Sequence, residues 1–289
     1  MDAVRLITHV YPSTPTLEGA GVHLKRAIIY QHMPQLDPFL LLDDFRSKNP
    51  ADYIKGFPWH PHRGIETITY ILEGKVEHGD SLGNLGVIGP GDVQWMTAGS
   101  GIIHQEMPKG DEAGHMGGFQ LWANLPAANK MMEPRYRDVK SSQIPVVNLE
   151  NGGQVRLVAG TVDGVRGPVQ DVVTDPEYLD VSLPAGASFE HLVTAGHSAF
   201  AYVFQGAGRF APGAESEVQS ENLVIFGDGT AVQITAGASG VRFLFASGQP
   251  IGEPVAWYGP IVMNTREELQ TAFKELQNDT FLKHAPPAK

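Results

Sequence analysis

Ile65-Glu66-Thr67-Ile68-Thr69-Tyr70-Ile71-Leu72-Glu73-Gly74 is the stretch from which the fold is read. Its run of β-branched and aromatic side chains stops at a glycine, the pattern of a strand running into a tight turn. Similar short segments follow closely: Lys75-Val76-Glu77-His78, Leu85-Gly86-Val87-Ile88, Val93-Gln94-Trp95-Met96 and Ile102-Ile103-His104-Gln105-Glu106-Met107. Turn sequences separate them, among them Gly79-Asp80-Ser81-Leu82-Gly83-Asn84 and Gly89-Pro90-Gly91-Asp92. Strands this closely spaced, with turn signals between them, indicate an antiparallel sandwich or barrel.

The scheme then repeats. Thr69-Tyr70-Ile71-Leu72-Glu73-Gly74 returns as Ala201-Tyr202-Val203-Phe204-Gln205-Gly206, and the segment from Val93 to Gly99 returns, one residue shorter, as Val232 to Gly237. Two copies of one β unit explain this most simply. The division places residues 1–135 in an N-terminal domain and 136–289 in a C-terminal one. Residues 124–145 carry prolines and charges without alternation and read as a linker; Glu133, Arg135 and Arg137 read as solvated charges. Near the C-terminus, Thr265-Arg266-Glu267-Glu268 is a capping box that opens a helix. Leu269, Phe273 and Leu276 share one face of that helix, which suits packing against a barrel edge. The tail Ala285-Pro286-Pro287-Ala288-Lys289 is expected to fray.

Composition narrows the function. The chain has 289 residues, 42% hydrophobic and 18% charged, a globular balance. The 33 glycines and 21 prolines fit many tight turns. A net charge of −11 without a Lys/Arg cluster argues against direct nucleic-acid binding, although a basic protein partner suits an acidic surface. There is no cysteine, which excludes disulfides, iron–sulfur clusters and thiolate chemistry. The start Met1-Asp2-Ala3-Val4-Arg5 lacks the apolar core of a signal peptide, and no run approaches a membrane span, so a cytoplasmic location is the default expectation.

His60-Pro61-His62 and His104-Gln105-Glu106 carry the chemistry. Residues two apart on a strand point to the same face. Two such strands facing one another inside a barrel converge three imidazoles and a carboxylate on one ion. This donor set suits Fe(II), Mn(II), Ni(II), Cu(II) or Zn(II) and leaves open positions in an octahedral ion. The repeat counterparts of His60 and His62 are about Leu192 and Thr194, and those of His104 and Glu106 fall among Arg242, Phe243, Leu244 and Phe245. The second copy folds without the ligands, so one metal is expected, in the N-terminal half. His9, His23, His32, His78, His115 and His284 lack strand-paired partners, and His191 and His197 stand six apart. These read as surface or hydrogen-bonded histidines.

The run from Phe57 to Tyr70, with Val76-Glu77-His78-Gly79-Asp80-Ser81-Leu82-Gly83-Asn84 and Gly101-Ile102-Ile103-His104-Gln105-Glu106-Met107-Pro108, resembles the signature of the pirin family. Leu36 to Phe45, Gln120 to Pro126, Pro250 to Val255 and Gly259 to Thr265 extend the resemblance over nearly the whole chain. It implies an all-β fold of two cupin barrels, of the double-stranded β-helix or jelly-roll type, packed together with a C-terminal helix. It also implies one Fe(II) held by His60, His62, His104 and Glu106, with Co and the other metals above as substitutes. The implied activity is that of a quercetin 2,3-dioxygenase, an oxidoreductase that opens the flavonol heterocycle with O2 and releases carbon monoxide. Glu106 would be the catalytic proton acceptor; Trp59, Phe57, Met96 and Phe45 are read either as apolar walls for a flat ligand or as ordinary core residues. The alternative is a metal-dependent regulatory protein of the transcriptional-coregulator kind, acting through a protein partner. Thr97 replaces the cupin proline before the later histidine. Glu66, a carboxylate ligand in the wider cupin pattern, is given a supporting or packing role, and internal duplication favours a monomer.

Overall fold

A computed structural model of the protein describes residues 3–284; the tail expected to fray lies outside them. The chain forms two compact units that are interleaved in sequence. One comprises Pro15–Arg26, Phe39–Ser141 and the segment from Ile251 onward; the other comprises the segment up to Thr14, Ala27–Pro38 and Ser142–Pro250.

The first unit holds two large antiparallel sheets and a two-stranded one, Ala256–Tyr258 with Ile261–Met263. The larger runs in the order Arg135–Val139, Val93–Thr97, Ile65–Glu73, Gly117–Asn124, Phe39–Asp44, Val22–Ile28 and Thr14–Glu18. The decisive stretch is thus a central strand. It is buried from Ile65 to Ile71, which explains why it reads as a near-continuous apolar run. Ile71 joins Val22, Leu24, Phe45 and Val76 in one core cluster. Glu66 has the opposite parity to Thr69 and therefore points to the other face. Its carboxylate accepts from Thr97 Oγ1 (2.6 Å) and Trp95 Nε1 (3.1 Å). Burial pushes its pKa up against the pull of those two hydrogen bonds. The smaller sheet runs Phe57–His62, Ile102–Lys109, Lys75–Asp80, Leu85–Ile88.

The second unit has a two-stranded sheet, Thr161–Val162 with Val165–Arg166, and a nine-stranded sheet in which Ser198–Arg209 lies between Asn222–Phe226 and the long strand Ala231–Gly248. Residues 231–235 of the long strand pair with Ser188–Leu192 as the strand from Ile102 pairs with Phe57–His62. The counterparts of His104 and Glu106 therefore lie there and not among residues 242–245 as read from the sequence; Val232 and Ile234 sit in the core with Leu157, Val181, Phe189 and Val203. His191 is buried and meets Glu177 Oε1 at 2.9 Å, so it is a hydrogen-bonded histidine, as expected. The repeat has a backbone cause at its aligned glycines. Gly74 and Gly206 adopt φ of 71° and 69°, in the left-handed region. A Cβ at Gly206 would lie 2.1 Å from the Gly240 carbonyl oxygen, and one at Gly74 would lie 2.7 Å from that of Lys109.

Two elements differ from the sequence reading. Within the 124–145 linker, Arg135–Val139 is a strand that pairs with Val93–Thr97 at the sheet edge. Arg135 and Arg137 are partly buried there, and edge strands are commonly charged, which removes the apolar alternation. The capped helix, Arg266–Gln277, forms as read: Thr265 Oγ1 accepts from Glu268 N (3.2 Å), and Glu268 Oε2 accepts from Thr265 N (2.9 Å). Leu269, Phe273 and Leu276 pack with Ile103, Ile261, Met263 and Phe281. The helix therefore belongs with the histidine-bearing strands, whereas the sequence division grouped it with residues 136–289.

Replacing Gly206 with alanine is expected to destabilise the protein by about 3 kcal/mol, from the strained φ and the contact with a backbone carbonyl. Urea unfolding would show a lower midpoint at unchanged slope.

Candidate metal centre

Three adjacent strands of the smaller sheet each carry a pair of polar residues two positions apart. His104 lies opposite His60 on one side and opposite Asp80 on the other, while Glu106 lies opposite His78. Directly opposed residues share a face, so one sheet face presents His60, His62, His104, Glu106, His78 and Asp80.

Three imidazoles converge. His60 Nε2 is 3.0 Å from His62 Nε2 and 3.0 Å from His104 Nε2. The other ring nitrogens fix the tautomers. His60 Nδ1 donates to Pro58 O (2.8 Å) and His62 Nδ1 donates to Pro260 O (3.1 Å). A carbonyl can only accept, so both Nδ1 atoms carry the proton and both Nε2 atoms present lone pairs. A proton on His104 Nε2 can bridge to His60, but nothing then relieves the contact between the His60 and His62 lone pairs. Burial, followed by the neighbouring His60, pushes His62 well below the ordinary histidine range. Burial, and then His62, His60 and His78, do the same to His104. A further proton is therefore a poor filler, whereas a divalent metal satisfies all three nitrogens at once. The three ligand atoms lie within 4.8 Å of one another and form a group that can hold such an ion.

The ligand-bearing strand is anchored by buried cations. Beyond His62, Arg63 donates to Ser100 O (2.7 Å) and Phe281 O (2.8 Å) and pairs with Glu275 (2.8 Å). Its carbonyl accepts from Val262 N (3.1 Å). Lys130 is fully buried; its Nζ donates to Gly64 O (2.8 Å), Asn124 Oδ1 (2.6 Å) and Val262 O (3.1 Å). Gly64, with φ of 78°, leaves no room for a side chain: a Cβ would lie 1.9 Å from Val262 O. These contacts fix residues 62–64 against residues 260–262, and with them the Pro260 carbonyl that sets the His62 tautomer.

Glu106 is outside the close imidazole group but in the wall of the same cavity. Thr69 Oγ1 lies 2.9 Å from Glu106 Oε1 and 2.7 Å from Gln120 Oε1. One hydroxyl proton serves one acceptor. If it goes to Glu106, Gln120 must turn its amide nitrogen toward Thr69. The cavity, of about 650 Å3, is walled by Phe45, Phe57, Trp59, Trp122 and Trp257. Three of the four wall residues read from the sequence are present. Met96 is not among them, being fully buried.

His78, read from the sequence as a surface or hydrogen-bonded histidine, is the latter. It is buried, its ring centroid is 5.3 Å from that of His104, and its Nε2 is 3.2 Å from Asp80 Oδ2. Burial alone would raise Asp80, but hydrogen bonds from His78 and Asn84 outweigh it and hold the carboxyl below its usual range. Its place on the ligand face has a sequence signal, since His78-Gly79-Asp80 has the same two-residue spacing as the other pairs.

Two repeated antiparallel β units, with an imidazole cluster on the strands of the first, define a two-domain cupin. The chain belongs to the pirin family: the pirin domain matches residues 21–123 and the pirin C-terminal cupin domain matches residues 178–282. A pirin-like protein of Caulobacter vibrioides is 44% identical over 279 residues, covering 96% of this chain and 99% of that one. A crystal structure of quercetin 2,3-dioxygenase from Acinetobacter baumannii superposes with a TM-score of 0.89 at 32% identity, covering 96% of this chain and 99% of that one. A bacterial pirin from Escherichia coli in complex with nickel(II) shares the fold, with a TM-score of 0.65 at 22% identity over 84% of this chain and all of that one. Among the described residues, no helix is long and apolar enough to cross a membrane.

Lys130→Met strips the donor from three buried acceptors and is expected to cost about 2 kcal/mol near pH 7. Burial lowers the Lys130 pKa to about 8. Between that pH and the ordinary lysine value the folded state binds fewer protons than the unfolded state, so Lys130 adds stability as pH rises. Urea unfolding at several pH values is expected to show the native protein gaining on the variant above pH 8, by at most about 1.4 kcal/mol per pH unit.

Proposed function

We propose that the protein is a cytoplasmic, monomeric flavonol dioxygenase. In this reading it holds one Fe(II) through His60, His62 and His104, with Glu106 as fourth ligand, and acts on quercetin or a close analogue. The observation that carries the reading is the pair of fixed lone pairs of His60 and His62 facing each other at 3.0 Å. The Acinetobacter relative named quercetin 2,3-dioxygenase supports the choice of substrate. The net reaction adds both atoms of O2 to the heterocycle, opens it and releases one ring carbon as carbon monoxide. Mn, Ni, Cu, Co or Zn would be substitutes at the same donors.

Iron there supplies the Lewis-acid and redox chemistry on which O2 activation depends. The residues of the chain do the rest. The aromatic walls hold a flat ring system and exclude water. Glu106 accepts the proton of the flavonol 3-hydroxyl when its bond to the ion loosens, and a Thr69 hydroxyl turned to Oε1 orients the carboxylate for that task. Pro58 and Pro260 keep the two imidazoles in the ligating tautomer.

The test is anaerobic loading with iron, followed by quercetin and air, with carbon monoxide as the readout. Carbon monoxide in proportion to substrate consumed is expected, with His60→Ala and Glu106→Ala losing most of both metal and product. Output no greater than that of the metal-free protein would remove the dioxygenase claim and favour a metal-dependent regulatory protein.

A further inference from the structure

The cavity floor has an order that the metal site alone does not explain. In the larger sheet Asp43 lies directly opposite Gln120, and Gln120 directly opposite Thr69. The three therefore share one face in a row, with Thr69 meeting Glu106 at the metal end. On the strand beyond Asp43, Arg26 closes the row: its Nε donates to Asp43 Oδ1 and its Nη2 to Asp43 Oδ2, both at 2.8 Å. The same Nη2 is 2.9 Å from Glu18 Oε1. Alongside runs an apolar row in which Leu41 lies opposite Trp122. Both rows reach the same cavity. Two strand steps separate Thr69 from Asp43, roughly 10 Å at the usual sheet spacing. A flat molecule of two or three linked rings spans that distance, with its ring faces on Leu41 and Trp122 and its polar edge over Gln120.

We infer that Arg26 and Asp43 are specificity residues at the far end of the substrate site, selecting flavonols with hydroxyl groups on the distal ring over flavonols with a carboxylate there. This rests on the reading of the cavity as a flavonol site. The charges decide the preference. One guanidinium and two carboxylates leave the far end one unit negative at neutral pH, so an anionic ligand is repelled. A hydroxyl is matched on both sides. Each Asp43 oxygen keeps a second lone pair beside the one used by Arg26, and Arg26 Nη1 donates to no other described residue. Asp43 is nearly buried, so a donor arriving there meets a carboxylate with little competing water. Burial pushes Asp43 up to about 6 against the pull of Arg26, which still leaves it ionised at pH 7.

The experiment is calorimetric titration of the iron-loaded full-length protein, kept anaerobic, with three ligands: quercetin, 3-hydroxyflavone without other hydroxyls, and a flavonol with a carboxylate on the pendant ring. Native protein is expected to bind quercetin at least about tenfold tighter than 3-hydroxyflavone, the value of one charge-assisted hydrogen bond. Asp43→Asn is expected to shrink that ratio to about threefold or less, lowering quercetin affinity more than 3-hydroxyflavone affinity. Glu18→Gln, on a side chain that is 42% exposed, is expected to strengthen binding of the carboxylated flavonol alone. An unchanged quercetin ratio in Asp43→Asn, an equal loss for all ligands, or no gain in Glu18→Gln would overturn the inference. Failure of native protein to bind any of the three would instead overturn the flavonol reading of the cavity.

Discussion

The site depends on two nitrogen lone pairs that cannot avoid each other. His60 and His62 each spend their one ring proton on a backbone carbonyl, of Pro58 and of Pro260, and their Nε2 atoms then meet at 3.0 Å. Nothing among the described residues resolves that contact. His104 can lend a proton to one neighbour, and burial disfavours a positive charge on either buried ring. A cation held by all three rings resolves it, and the surrounding structure can be understood as the apparatus that keeps the rings in place. The cost of holding like dipoles together without the ion is borne by packing elsewhere in the unit.

That packing is unusually cationic for an interior. Arg63 and Lys130 are both buried, and both direct their donors at backbone carbonyls on either side of the ligand strand. Three of those carbonyls, of Phe281, Gly64 and Val262, lie on segments more than 60 residues from their donors in sequence. The C-terminal segment is thereby part of the metal site. It supplies the carbonyl of Pro260, the indole of Trp257 at the cavity wall and the helix beneath Ile103. The second repeat has apolar residues, Val232 and Ile234, on the strand segment that pairs as the ligand strand does. It too carries a buried cation, Arg5, which donates to the carbonyls of His197 (2.8 Å), Gly227 (3.1 Å) and Thr194 (3.2 Å).

What was legible in the sequence was what depends on local spacing. The strand period placed His60 with His62 and His104 with Glu106 on one face, and the structure brings the three imidazoles together. The capping box gave the helix, and the aligned glycines gave the repeat. Features that depend on chain return were not legible. Nothing around Lys130 marks it as buried, because its partners lie at Gly64 and Val262. Pro260 is 198 residues from the histidine whose tautomer it sets. Met96 looked like cavity wall by residue type, but burial removed it, while Trp122 and Trp257 line the cavity without any local sign. His78 forms the kind of hydrogen bond read for it, to Asp80, and its place on the ligand face follows from the same two-residue spacing.

The convergence of three Nε2 atoms on one ion is tested most directly by anomalous diffraction from crystals of the metal-loaded protein, collected at the absorption edge of that metal. The account expects a single strong peak per chain, bonded to Nε2 of His60, His62 and His104, with both Nδ1–carbonyl hydrogen bonds intact. A peak elsewhere, or rings turned so that Nδ1 faces the ion, would contradict it.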